Sequence, residues 1–173
     1  PEDFTQFVSG LLGKAQIIER VFHGAFEIDA NDIENTFHLV DQRVRQQNEA
    51  SLVQFTVRIV YDDDSSVVIN SLEDFLHYTE VRPLVSAAAY LSWTYLIRFQ
   101  DKRFPEKQQI ELAIVTHDED STVVQIEDGI QVHVVRRVLR LSGNHIGIRI
   151  SHTARTWGAD IESLLTGHVK TLL

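Results

Sequence analysis

The sequence predicts an α+β domain, in which amphipathic helices pack on one face of an antiparallel sheet of five or more strands. Two patterns lead to this prediction. Several segments alternate apolar and polar residues with the period of two typical of half-buried strands, and others repeat apolar residues at the spacing of surface helices. The 173 residues contain neither an internal repeat nor a low-complexity linker, so we expect a single domain over residues 1–173.

The strand around which the sheet is organised lies at residues 85–99. Its odd-numbered positions are all apolar: Val85, Ala87, Ala89, Leu91, Trp93, Tyr95, Ile97 and Phe99. Helical geometry would spread these side chains around the whole cylinder, whereas a strand gathers them on one face. The segment is also too short for a membrane span, which needs about 20 apolar residues. We expect firm strand pairing over residues 89–99, with Trp93 on the buried side.

Further segments show strand patterns. Residues 55–61 and 67–70 flank a run of Asp and Ser, which predicts a hairpin. Residues 110–114 form the strand that we expect to run antiparallel to the organising strand. The strands at 55–61 and 110–114 are apolar on one side only, so helices are expected to cover that side. A short strand is predicted at residues 25–28.

A last hairpin is predicted towards the end of the chain. Its first strand begins at residue 130 and loses its alternation near residues 134–135, where we expect a bulge. A turn at residues 142–144 then leads into a partner strand at residues 146–150.

Two longer helices are predicted in the first part of the chain. The first covers residues 2–22, where apolar residues recur every three or four positions as far as Ile18 and Phe22. Gly10 and Gly13 weaken this helix, and a break there stays open. The second follows Asp29 or Asn31, either of which makes a good N-cap. Its apolar face consists of Ile33, Phe37, Val40 and Val44.

Two more helices are predicted further along. Ser71 caps a short helix over residues 72–79, with Asp74 three residues beyond the cap. The last helix begins near Asp160. Its amphipathic pattern rests on Ile161, Leu164, Leu165, His168 and Leu172.

Residues 129–159 are basic on an otherwise acidic chain. They include no Asp or Glu, three His and five Arg, which are Arg136, Arg137, Arg140, Arg149 and Arg155. Without these five charges, the net charge of −9 becomes −14 on the rest of the chain. A basic hairpin on an acidic body binds anions or pairs with acidic surfaces. The candidate partner- or anion-binding residues are Arg136, Arg137, Arg140, Arg155 and Trp157.

Two interpretations of Arg155 and Trp157 are open. Both lie in the segment that joins the last strand to the last helix, where binding residues are often found, and exposed Trp and Arg are good interface anchors. Alternatively, Trp157 packs in the core and Arg155 pairs with a carboxylate. We favour the second interpretation.

No metal site, cofactor site or active site is predicted. The chain has no Cys, which excludes thiolate ligands and Cys nucleophiles. The acidic group at residues 29–34 lacks the glycine of a calcium loop, and residues 117–120 are adjacent, whereas zinc ligands come from separated positions. Phosphate-binding glycine loops and common hydrolase motifs are missing. We therefore lean towards a protein that is not an enzyme and binds no cofactor.

We expect a non-catalytic protein-interaction or assembly domain of a longer protein, because both chain ends look cut and opposed charge regions steer association. The partner would be a protein or a second copy, and not nucleic acid, whose binding domains are usually basic overall. The alternative is an anion- or nucleotide-responsive sensor that uses the arginines, and the third function is a small hydrolase. The absence of Cys favours a reducing compartment, and we expect the cytoplasm.

Overall fold

The computed structural model describes residues 2–12, 15–116 and 139–173. Its elements are α1 (Glu2–Leu12), β1 (Gln16–Asp29), α2 (Ala30–Gln47), β2 (Glu49–Tyr61), β3 (Ser66–Ile69), α3 (Leu72–His77), β4 (Ser86–Arg98), β5 (Glu106–Val115), β6 (Arg140–His152) and α4 (Arg155–Leu172). In this part of the chain six strands form one antiparallel sheet, in the order β1-β6-β5-β4-β2-β3. The predicted α+β class is confirmed.

The organising strand, β4, lies in the middle of the sheet between β2 and β5. Its side chains alternate as predicted, and Leu91, Trp93 and Tyr95 are at most 1 % exposed. The Trp93 ring centre lies 5.1 Å from that of Phe55 on β2 and 6.5 Å from that of Phe37 on α2. The apolar side of β4 is therefore the floor of the hydrophobic core.

α2, α3 and α4 pack on this core face, as predicted, and α1 contacts β5. α2 contacts α4, and α3 contacts both α2 and β2. The two longer helices bury Ile33, Val40 and Val44 on α2 and Ile161, Leu165 and Val169 on α4. Arg43 of α2 donates hydrogen bonds of 3.0 and 2.7 Å to the carboxylate of Asp160 on α4. The same guanidinium holds the pKa of Asp160 below its usual range.

The helix predicted over residues 2–22 is wrong in its second half. α1 ends at Leu12, and the chain then enters β1, of which the predicted strand at residues 25–28 is the last part. Ile18 and Phe22 carried the helical pattern. Their spacing of four fits two strand periods as well as one helical turn, and in the structure both pair with isoleucines of β6.

The turn predicted at residues 142–144 is also wrong, because these residues lie inside β6. Gly143 serves a close approach, since a Cβ on it would lie 2.7 Å from the carbonyl oxygen of Val115. β6 pairs with β1 and β5 and continues through the predicted strand at residues 146–150. α4 then begins at Arg155, more than one turn before the predicted start.

Asp29, and not Asn31, caps α2. Asp29 Oδ1 accepts a hydrogen bond of 3.0 Å from the Asp32 backbone N–H, and Asp32 Oδ2 accepts one of 3.0 Å from the Asp29 N–H. This reciprocal capping box satisfies the donors at the start of the helix. We predict that Asp29→Ala lowers the free energy of unfolding by about 1 kcal/mol, whereas Asn31→Ala changes it by less than about 0.5 kcal/mol. Urea denaturation compares the two, and equal losses would contradict this assignment of the cap.

The hairpin predicted between β2 and β3 is confirmed. Ser71 caps α3 as predicted, and α3 ends at His77, two residues before the predicted end. Other predictions fall on residues 117–138, outside the described part of the chain. They are the strand from residue 130 with its bulge, the acidic segment at residues 117–120, and Arg136 and Arg137.

Candidate functional site

The strand side chains that point away from the core form a second surface, which we call the open face. Along β4 these are Tyr90, Ser92 and Thr94, which alternate with the buried positions. In the described ranges, α2, α3 and α4 all contribute their buried side chains to the core on the other side. The side chains of the open face are therefore candidates for contact with a partner.

Strand pairing aligns six residues of the open face into a row across the sheet, which we call the central row. In strand order they are Val21, Gly147, Ala113, Tyr90, Arg58 and Val68. Val21 is 54 %, Tyr90 40 % and Val68 53 % exposed. The Arg58 guanidinium lies 5.9 Å from the centre of the Tyr90 ring, within the range of a cation–π contact. Exposed apolar side chains that line up in this way are typical of interaction surfaces.

A charged row runs beside the central row. It consists of Glu19, Arg149 and Glu111, on β1, β6 and β5. The Arg149 guanidinium lies 3.4 Å from Glu19 Oε1 and 3.9 Å from Glu111 Oε2. The side chains of Glu19 and Arg149 are well exposed and that of Glu111 is partly exposed, so these ion pairs add about 0–1 kcal/mol each. The three charges are therefore able to pair with a partner instead, at little cost to the fold.

The two rows enclose a shallow cleft of about 550 Å³. Its floor consists of Gly147 and Ala113, and a Cβ on Gly147 would lie 3.8 Å from the Cβ of Ala113. Because these residues carry little or no side chain, another polypeptide can approach the backbone of β5 and β6 closely here. Tyr90 and Val21 occupy the neighbouring positions of the row on either side. The open face thus combines a hollow centre with apolar and charged edges.

The structure does not bring the described candidate residues of the sequence analysis together. Arg140 begins β6, with its guanidinium 3.7 Å from Glu27. Arg155 begins α4 beyond the other end of β6, a strand about 40 Å long at 3.3 Å per residue. Trp157 is 4 % exposed and belongs to the core, as the favoured interpretation predicted. No ion pair of Arg155 is seen with the residues that the structure describes.

Sequence reasoning missed the residues of the open face. Arg149 is one of the five arginines of the basic segment but not one of its candidate binding residues, and no sequence pattern points to Glu19, Arg58 or Glu111. Tyr90 did carry one, because it is an aromatic residue on the side of the organising strand that is otherwise mostly small or polar. The rows depend on which strands are neighbours, and the pattern along one strand does not contain that information.

Within the described ranges, no three His, Asp or Glu side chains are grouped so as to hold a metal ion. None of the helices there has both the length and the hydropathy of a membrane span.

Comparison of the chain with protein-family models, curated proteins and solved structures found no match. The geometry and chemistry of the surface are therefore the basis of the functional proposal.

Proposed function

We propose that this domain is a non-catalytic assembly module, in which the open face packs against the open face of a second copy of the chain. The observation that carries the proposal is the pattern of charges on β5 and β6. Glu111 and Arg149 occupy paired positions on neighbouring strands, and both side chains reach the solvent. Such a pair is complementary to its own image under a two-fold rotation.

The rotation can be followed strand by strand. A two-fold axis that runs along the strands between β5 and β6 exchanges β5 with β6 and β4 with β1. It places Glu111 opposite Arg149 of the second copy, and Tyr90 opposite Val21 of the second copy. Ala113 and Gly147 of the two copies lie at the axis. The open face is therefore self-complementary in charge.

The rotation overlays four of the six strands, β1, β6, β5 and β4, and leaves β2 and β3 outside the contact. Three inter-strand gaps of about 4.8 Å make the shared width about 14 Å. Two sheets that pack face to face lie about 10 Å apart, so side chains from both faces would fill the space between them.

The sensor hypothesis gains no comparable support. Its two described arginines, Arg140 and Arg155, lie at opposite ends of β6. A small anion would therefore contact one of them at most. No observation in the described residues favours the small hydrolase.

A charge reversal tests the interface. We predict that Glu111→Arg weakens self-association about tenfold or more, because the new arginine faces Arg149 of the second copy. Adding Arg149→Glu should restore most of the affinity, since opposite charges then face each other again. Sedimentation equilibrium at low salt measures both dissociation constants, and added salt should weaken the native dimer.

The matched control reverses a charge on the helix side of the domain. Glu34 of α2 is a partly exposed glutamate with a comparably weak ion pair, at 3.8 Å to His38, and Glu34→Arg should leave association unchanged. Thermal unfolding at low concentration checks that each variant folds. A native chain that stays monomeric at high concentration and low salt would overturn the proposal, as would a Glu111→Arg variant that associates normally.

A further inference from the structure

A cavity of about 590 Å³ lies on the helix side of the sheet, separate from the open face. Its apolar lining comes from β2, α3 and the segment between α3 and β4, and it includes Ile59, Phe75, Leu76 and Leu84. Tyr61, Tyr78 and Glu80 also line it and supply oxygen atoms at one side. The other polar side chains of the lining are Thr79, Ser86 and Arg140. A largely apolar cavity with a few converging polar groups is the usual form of a small-molecule site.

On the polar side of the cavity, Arg82 holds the Glu80 carboxylate in place. Its Nε and Nη2 donate hydrogen bonds of 2.9 and 3.0 Å to the two carboxylate oxygens of Glu80, and its backbone N–H donates another of 2.9 Å. These bonds lower the pKa of Glu80 to about 2. Glu80 is therefore ionised at neutral pH and only accepts hydrogen bonds.

An ionised Glu80 sets the direction of the two hydrogen bonds that lead to the cavity. Tyr78 Oη lies 2.8 Å from Glu80 Oε2 and must donate to it. Since Tyr78 has only one hydroxyl proton, Tyr61 is the donor in the 3.3 Å contact between the two hydroxyl oxygens. Burial raises the pKa of both tyrosines, so both protons are kept at neutral pH.

The proton of the Tyr61 hydroxyl is therefore donated to Tyr78, and the Tyr61 oxygen has only lone pairs to offer to a ligand. Among the described residues, no group donates a hydrogen bond to it. A ligand that meets this oxygen has to bring a donor of its own. Arg140 also lines the cavity, but its guanidinium is paired with Glu27 at 3.7 Å. At the Tyr61 oxygen, a carboxylate would place its negative charge beside an acceptor and near ionised Glu80, and an ether would bring no proton.

We infer that this cavity binds a neutral apolar molecule that carries one hydroxyl group, whose proton is donated to Tyr61 Oη. The apolar body packs against Ile59, Phe75, Leu76 and Leu84. The inference is independent of the assembly proposal, because the cavity and the open face share none of the residues that carry the two arguments.

Three probes with one skeleton test the inference by calorimetric titration of the full chain: 2-naphthol, 2-methoxynaphthalene and 2-naphthoate. One neutral hydrogen bond contributes about 1 kcal/mol, so the alcohol should bind about fivefold more tightly than the ether. The carboxylate should bind most weakly. Tyr61→Phe removes the acceptor and should make the alcohol and the ether bind equally.

Two further variants make the outcome decisive. Tyr95→Phe removes the hydroxyl of another buried tyrosine, which donates a hydrogen bond of 2.8 Å to Asp41 and does not line the cavity. This variant should preserve the preference for the alcohol. Ser86→Phe adds a ring to the cavity wall and should abolish binding of both neutral probes. Equal binding of alcohol and ether to the native chain, a preference that survives Tyr61→Phe, or binding that survives Ser86→Phe would each overturn the inference.

Discussion

Replacing Trp93 with alanine should lower the free energy of unfolding by about 3–5 kcal/mol, the usual loss for a large aromatic side chain in a core. Trp93 is fully buried at the middle of the central strand, between the rings of Phe37 and Phe55. Its removal leaves a cavity where α2 meets the sheet, and strands paired on both sides of β4 limit how far the backbone can collapse into it.

Chemical denaturation at low protein concentration measures this loss. Tyr90→Ala is the control, because it removes a large aromatic side chain from the same strand on the opposite face. Tyr90 is 40 % exposed, so we expect a loss of about 1 kcal/mol or less. Equal losses at the two positions would contradict the assignment of the core to the odd-numbered side of β4.

Replacing Gly158 with alanine should destabilise the protein by about 1–3 kcal/mol, the usual cost of overpacking. A Gly→Ala change inside a helix normally raises the free energy of unfolding, because alanine is favoured there by about 1 kcal/mol. At Gly158 we expect the opposite. A Cβ on Gly158 would lie 2.6 Å from Cδ2 and 2.7 Å from Cγ of His152. His152 is itself buried, so its ring has little room to move and α4 would be pushed away from β6.

Gly167→Ala in the same helix is the matched control. Nothing lies within 4 Å of a Cβ added there, so we expect a gain of about 0.5–1 kcal/mol from helix propensity alone. The midpoints of urea unfolding should therefore shift in opposite directions. A shift in the same direction for both variants would show that α4 does not press on His152 as closely as the structure has it.

Local sequence patterns were sufficient to predict an element when all the residues that define it lie in one contiguous segment. The alternation around Trp93 placed β4 and its buried side correctly, and Asp29 was one of the two residues expected to cap α2. They were ambiguous where two periodicities coincide, as at Ile18 and Phe22, whose spacing fits both a helix and a strand. They failed at Gly143, because a glycine needed for a close approach between strands has the same sequence signature as a turn.

The candidate surfaces, in contrast, are formed by residues from separate segments of the chain. Glu19, Glu111 and Arg149 come from three strands that are far apart in the chain, and their alignment is set by strand order and register. The contacts between Tyr61 and Tyr78 beside the cavity and between His152 and Gly158 join residues that are closer in the chain, but they too depend on tertiary packing. The order of residues along the chain was enough to establish the fold class and the buried side of each clear strand, because alternation and helical spacing are properties of contiguous residues. Only tertiary packing decided which charges and hydroxyls became neighbours, because the pairing of distant segments depends on the burial of the whole core.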